Sequence, residues 1–253
     1  MLTKNDIYKN KLYEKSKDIV VNTYLNNSMK NDRLFEFQEH FSHHINVPCF
    51  DLISGNVYVE IGSFYGHSGS VMSSAFENKK IICIDIFNNS YFKSLDLKED
   101  SWTCPPEYYR PIAENNIKKF NKNNELHFIE GKSTDEETLT ELNNILGKDK
   151  IDLLFIDGDH RYEYVMNDFE KYFPLITSGG LIVFDDYFQK WNKDTVQKAV
   201  KDICLKYKSQ INVIGVPEDK INIKSEEQKY KLPFSIKKET ILTHNSSFIV
   251  QKL

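Results

Sequence analysis

The stretch FIDGDHRYEY, Phe155 to Tyr164, sets Asp157, Asp159 and His160 directly behind an apolar run. Carboxylates and an imidazole crowded at the end of a buried strand cost desolvation and mutual repulsion unless a metal, a ligand or a transferable proton offsets them. A second acidic pair, Asp185 and Asp186, closes the apolar run of GGLIVFDDY. Adjacent strands of a parallel sheet lie about 4.8 Å apart, so carboxylates at neighbouring strand ends come within reach of one cation. Oxygen donors with no cysteine nearby suit magnesium, manganese or calcium better than zinc. The expected ligands are Asp157, Asp185 and Asp186. Successive strand residues point to opposite faces, so Asp185 and Asp186 can share an ion only where the chain leaves strand geometry. Asp159 is expected to face solvent rather than to orient the imidazole.

A glycine loop, VEIGSFYGHSG, follows the first strand candidate and opens a helix, with Glu60, Gly62, Gly66 and Ser68 in the pattern E-x-G-x-x-x-G-x-S. Glycine lets backbone approach a ligand closely, and a helix N-terminus offers unpaired N–H groups, so a nucleotide-like ligand is implied. The dinucleotide pattern G-x-G-x-x-G is not matched, which argues against NAD. Asp85 ends the second strand in ICIDIF, where an acid accepts hydrogen bonds from ribose hydroxyls, and this supports an adenosine-containing ligand. His67, inside the loop, reads as a surface histidine.

These residues need a scaffold, and the pattern supplies one. Apolar runs NVYVEIG, KKIICIDIF, ELHFIEG, IDLLFIDGD, GGLIVFDDY, INVIGVP and SSFIVQKL alternate with helix-like stretches such as HSGSVMSSAFENK and YEYVMNDFEKYFPLI. The first five runs show little alternation, as expected where helices cover both faces of a parallel sheet. The fold class is therefore α/β, a Rossmann-like, doubly wound sheet of seven strands with ligands at the carboxyl ends of the strands. Three stretches fall outside the alternation: residues 1–52, with LFEFQEHFSHHI and its His40, His43 and His44; a lid-like segment after Phe87 holding Trp102; and an excursion from Pro217 to Thr243. The aromatics of residues 1–52 are read as packing against the domain, or against a partner copy in a homodimer or larger oligomer, rather than as a site.

The chain has 253 residues, enough for one large α/β domain. Its 33 Lys and Arg against 37 Asp and Glu form no basic stripe, so a nucleic-acid partner is disfavoured. Four scattered cysteines suggest neither a disulfide framework nor a zinc site. No apolar stretch reaches membrane-spanning length and the opening residues are polar and lysine-rich, so a cytoplasmic location is expected.

The glycine loop, the acid ending the second strand and the final antiparallel pair resemble class I S-adenosylmethionine-dependent methyltransferases from about Val57 onward. The resemblance implies a methyltransferase domain over residues 53–253 and leaves the opening segment unaccounted for; that helical segment, 1–52, is expected to contribute to the substrate site or to oligomer contacts. It puts Glu60 and Gly62 near the amino-acid end of the cofactor, Asp85 at the ribose and Lys132 and Ser133 of EGKSTD near the adenine, with Ser63, Gly66, Ser68 and Asp157 as further expected cofactor contacts. More narrowly, the Asp157-x-x-His160 spacing and the Asp185–Asp186 pair are similar to metal-dependent bacterial sugar O-methyltransferases, with His160 as general base beside Mg2+ or Mn2+ held by Asp157, Asp185 and Asp186. The implied acceptor is a sugar or nucleotide-sugar hydroxyl, as in surface polysaccharide assembly. A catechol or other phenol is the alternative acceptor, and a noncatalytic nucleotide-binding module is the reading from a different class.

Overall fold

The computed structural model describes residues 1–26, 42–90, 107–188, 196–217, 220–222, 241–243 and 247–253. His40, most of the lid-like segment with Trp102 and Cys104, and most of the Pro217–Thr243 excursion lie outside the described residues.

The strands are β1 (Val57–Ile61), β2 (Lys80–Asp85), β3 (Glu125–Glu130), β4 (Ile151–Ile156), β5 (Ile176–Phe184), β6 (Ile211–Gly215), β7 (Lys220–Asn222), β8 (Ile241–Thr243) and β9 (Phe248–Lys252). Seven of them form one sheet in the order β3-β2-β1-β4-β5-β9-β6. The first five are mutually parallel, and β9 runs antiparallel between β5 and β6. This is the expected Rossmann-like sheet, mostly parallel with an antiparallel C-terminal strand. The sequence reading did not include β7 and β8, which pair antiparallel in a separate small sheet. With only three residues each, they carry too little periodicity to be read.

The helices are α1 (Lys4–Tyr8), α2 (Tyr13–Asn26), α3 (Asn46–Leu52), α4 (His67–Ala75), α5 (Arg110–Lys119), α6 (Glu136–Leu146), α7 (Tyr162–Tyr172) and α8 (Val196–Lys206). They divide between the two faces of the sheet. On one face Ile7, Val20, Val21, Val47 and Phe50 of the opening segment, with Val71 and Met72 of α4, pack on Tyr58, Cys83, Leu153, Phe155 and Val183. On the other, Leu142, Phe169 and Ala199 from α6, α7 and α8 pack on Val59, Ile82, Leu154, Ile182 and Val250. Successive residues of each central strand thus feed opposite cores, which is why those strands are apolar without alternation. Phe50 anchors α3 edge-on to Tyr58 and Phe76, with ring centroids at 6.3 and 5.0 Å. Burial of such a ring contributes on the order of 2–3 kcal/mol.

The register brings the strand ends level. Ile61 pairs with Ile156, and Ile156 with Phe184. The ladder then runs one residue further, with Asp157 N–H donating to Ile61 O and Asp185 N–H to Ile156 O, at 2.9 and 3.0 Å. Asp157 and Asp185 therefore leave the sheet side by side.

Candidate active site

Three carboxylates and two imidazoles meet at these strand ends. His160 Nδ1 lies 3.2 Å from Asp186 Oδ2, and its Nε2 lies 3.4 Å from Asp157 Oδ1. On the far side of Asp157, His43 Nε2 lies 3.6 Å from Asp157 Oδ2 and 3.3 Å from Asp185 Oδ2. Ser247, from the residue before β9, donates to Asp185 Oδ1 at 3.1 Å. Asp186 has a left-handed φ of 55°, so the chain does leave strand geometry between the two acids. That turn lets both side chains face the cluster, which a regular strand forbids, but on different sides of Asp157: Asp185 groups with His43 and Asp186 with His160.

The electrostatics follow from burial and crowding. Burial pushes the Asp157 carboxyl up to about 6, and the charge of Asp185 adds to the rise. Burial works against charge on Asp185 too, but the His43 hydrogen bond and charge outweigh it and hold its pKa down. Burial opposes the imidazolium form of His160, yet Asp186, Asp157 and Asp185 lift its pKa to about 10. His43 is also raised, because the hydrogen bond and charge of Asp185, aided by Asp157 and Glu60, overcome its burial. Without a cation, then, protons on the two imidazoles offset two of the three carboxylates. Donor atoms of His43, Asp157 and Asp185 all lie within 4.8 Å of one another, as do those of Asp157, His160 and Asp186. A carboxylate-rich donor set with imidazole nitrogen, at this spacing and with this excess of negative charge, fits a divalent cation.

Asp159 takes neither expected part. It accepts from Arg161 N–H and Arg161 Nε at 3.0 and 2.9 Å, so it pairs with Arg161 and pins the turn into α7 instead of facing solvent. His67 is 3% exposed, not a surface histidine, and its Nδ1 lies 3.5 Å from His43 Nδ1. His43 itself is the residue the sequence reading missed. It was grouped with packing aromatics, and nothing in its own neighbourhood distinguishes it from His44, which packs edge-on against Tyr13.

The glycine loop lies beside this cluster. Gly62 has φ +88°, and a Cβ there would stand 2.1 Å from the Asp157 carbonyl oxygen, so the loop and the Asp157 turn fit together only through glycine. Gly66, with φ +78°, precedes α4 and packs against the Ala113 carbonyl in the same manner. Glu60 is fully buried and accepts from Ser63 Oγ at 2.5 Å, Ser68 Oγ at 2.7 Å and Tyr58 OH at 3.0 Å. It ties both ends of the loop to β1. Asp85 accepts from Phe64 N–H and Phe87 N–H at 2.7 Å each, and from Tyr109 OH at 2.6 Å. Burial raises its pKa while these donors oppose the rise. Asp85 thus anchors the turn at the end of β2, and a carboxylate offers about four acceptor positions. Ser133 donates to Asp168 at 2.5 Å, and Lys132 beside it is exposed. Both stand one strand further out than Asp85, since Asp85 pairs with Glu130 and Gly131 N–H donates to Asp85 O at 2.9 Å.

The sheet order and the acidic cluster at its carboxyl end define a Rossmann-like methyltransferase fold. Residues 59–187 match the family model described as "Methyltransferase domain", and the chain belongs to that family. An uncharacterized protein of Acanthamoeba polyphaga mimivirus is 34% identical over 150 residues, 58% of this chain and 60% of the viral protein. The chain therefore matches less than two thirds of that relative's length. The O-methyltransferase NovP superposes with a TM-score of 0.52 at 14% identity, over 81% of this chain and 75% of NovP. MycE methyltransferase from the mycinamycin biosynthetic pathway, in complex with Mg, SAH and mycinamycin VI, gives 0.50 at 18% identity over 94% and 54% of the two chains. At these identities the likeness is one of fold. No helix among the described residues is long and apolar enough to cross a membrane.

Proposed function

We propose that the protein is an S-adenosylmethionine-dependent O-methyltransferase that requires a divalent cation and methylates a hydroxyl of a sugar or nucleotide sugar. The observation that carries this reading is His160, held between Asp157 and Asp186 where β4 and β5 end. In the same reading Glu60, Gly62, Ser63, Gly66 and Ser68 form the bed for the amino-acid end of the cofactor, Asp85 takes the ribose, Lys132 and Ser133 border the adenine, and Asp157 lies between cofactor and acceptor.

S-adenosylmethionine, when bound, would supply an electrophilic methyl carbon: the acceptor oxygen would take it in line as the methyl–sulfur bond breaks and S-adenosylhomocysteine leaves. Asp157, Asp185 and Asp186 would hold Mg2+ or Mn2+, which would lower the pKa of the acceptor hydroxyl and supply the charge that protons on the imidazoles otherwise provide. Asp186 then fixes the His160 ring through Nδ1–H, the shorter of its two carboxylate contacts, and leaves Nε2 to take the hydroxyl proton. A sugar hydroxyl is a poor nucleophile until that proton leaves, so a positioned imidazole favours a sugar over a phenol, which ionises by itself more readily.

The test is His160→Ala. Turnover should fall by about 10²-fold or more, the usual worth of a general base, while calorimetric affinity for S-adenosylmethionine stays within about two-fold. Normal turnover in this variant would remove the base assignment. Methylation of catechols with none of sugars would replace the acceptor class, and cofactor binding without transfer to any acceptor would favour a noncatalytic module.

A further inference from the structure

We infer that His43 is a nitrogen ligand of the cation and that the two imidazoles of the cluster have separate tasks, His43 binding metal and His160 accepting the proton. This rests on the reading of the cluster as a cation site and extends it to a residue outside the expected acidic set.

The geometry separates the two rings. Asp157 turns Oδ2 toward His43 and Oδ1 toward His160, so the imidazoles stand on opposite sides of one carboxylate. His43 is 5% exposed and comes from the single turn Ser42–Ile45, held by the opening segment against the sheet. Its ring packs edge-on against Phe155 of β4 at a centroid distance of 5.3 Å, which fixes the ring plane. His43 Nε2 faces Asp185 at 3.3 Å and Asp157 at 3.6 Å. An ion with bonds of about 2.1 Å sets adjacent donors about 3 Å apart and opposite donors about 4 Å apart, so these three atoms can close on one ion with small side-chain shifts. The other nitrogen of His43 faces His67 Nδ1 at 3.5 Å. His43 thus aims one nitrogen between carboxylates and has a polar neighbour at the other, and a second-nitrogen partner is what orients a metal-bound histidine.

A second observation lies one turn further on. Asn46 is 1% exposed, and neither its amide nitrogen nor its amide oxygen has a hydrogen-bond partner. Residues three apart in such a turn share a face, so Asn46 follows His43 on the same side of the segment. A buried amide left so is costly unless a ligand or ordered water completes it.

A nitrogen donor changes the choice of ion. Carboxylates alone suit Mg2+, Mn2+ and Ca2+, whereas imidazole shifts preference toward Fe2+, Ni2+ or Zn2+. The bound ion would also clasp the opening segment to the ends of β4 and β5, so the segment would take part directly in the site.

The test is pulsed electron paramagnetic resonance on the full chain loaded with Mn2+, read for nitrogen hyperfine coupling, with histidine nitrogen isotopically labelled to assign it. The expected result is a histidine coupling in the unmodified protein that persists in His160→Ala and disappears in His43→Ala and His43→Gln. In the same variants of His43, Mn2+ affinity by calorimetry should drop about 10-fold or more. Mn2+ binding with no nitrogen coupling, or coupling that vanishes in His160→Ala, overturns the inference and leaves the cation reading standing. Failure of the unmodified protein to bind Mn2+ overturns both. The His160→Ala spectrum needs no change at His43, so a folding defect in the His43 variants does not remove the test.

Discussion

A methyl group on Gly62 would stand 2.1 Å from the carbonyl oxygen of Asp157, at a residue whose φ is already +88°. Gly62→Ala must therefore either push β1 from the Asp157 turn or abandon the left-handed conformation. A loss of about 2–5 kcal/mol in urea unfolding is expected, from overpacking plus backbone strain. Asp168 gives a second prediction at this scale. It is 2% exposed, and burial raises its carboxyl from the ordinary 3.8 to about 7 against the opposing hydrogen bond from Ser133. Between those values the folded chain holds a proton that the unfolded chain has released, so this group's contribution falls as pH rises and levels off above about 7. Asp168→Asn keeps an acceptor for Ser133 and removes the charge. Its stability relative to the unmodified protein should grow across that window, by at most about 4 kcal/mol, and stay constant above it. A difference independent of pH would show that Asp168 is charged in the folded protein. Asp157, His160, Asp185 and Asp186 were all legible, because each abuts an apolar strand. His43 was not, since its place depends on a chain segment that packs across the sheet from elsewhere, and no local pattern records that.

At the scale of elements, the site exists because β1, β4 and β5 end in register. The five parallel strands, the antiparallel last pair and the crossover helices were readable from composition and length, since both-face burial demands apolar runs with polar, helix-period segments between them. The role of α1, α2 and α3 was only half visible. Their apolar residues could be seen, but the face they cover could not. Phe50→Ala tests that covering directly. Losing a ring packed on Tyr58 and Phe76 should cost about 3–5 kcal/mol in urea unfolding, as for other buried phenylalanines, whereas a loosely attached segment would give less than about 1. Tyr109 does similar work at the far side of the loop: its hydroxyl donates to Asp85 and its N–H donates to Phe87 O at 3.0 Å. Tyr109→Phe removes one of the three hydrogen bonds that set the Asp85 carboxylate. A several-fold weaker S-adenosylmethionine affinity is the expected result, and unchanged affinity would move the ribose contact away from Asp85.

For the whole molecule, the consequence is that ligand binding and folding are linked. The cluster draws on the segment before β1, on β4, on β5 and on the residue before β9, so an ion bound there ties together parts distant in sequence. An ion at 100 times its Kd should raise unfolding free energy by about 2.7 kcal/mol, and Asp157→Asn should abolish the gain. A family match from 59 to 187 leaves the opening segment outside the matched region, although it supplies one of the two imidazoles. Acceptor choice should be sought there and in the two excursions, where no residue pattern states what is recognised. The most direct measurement of the central claim is mass-spectrometric detection of methyl transfer from S-adenosylmethionine to a panel of nucleotide sugars and catechols, with EDTA and with Mn2+ restored. The account predicts a methyl gain on a sugar hydroxyl that EDTA abolishes and Mn2+ restores. Transfer indifferent to EDTA would contradict the role given to Asp157, Asp185 and Asp186, and absence of S-adenosylmethionine binding would contradict the whole reading.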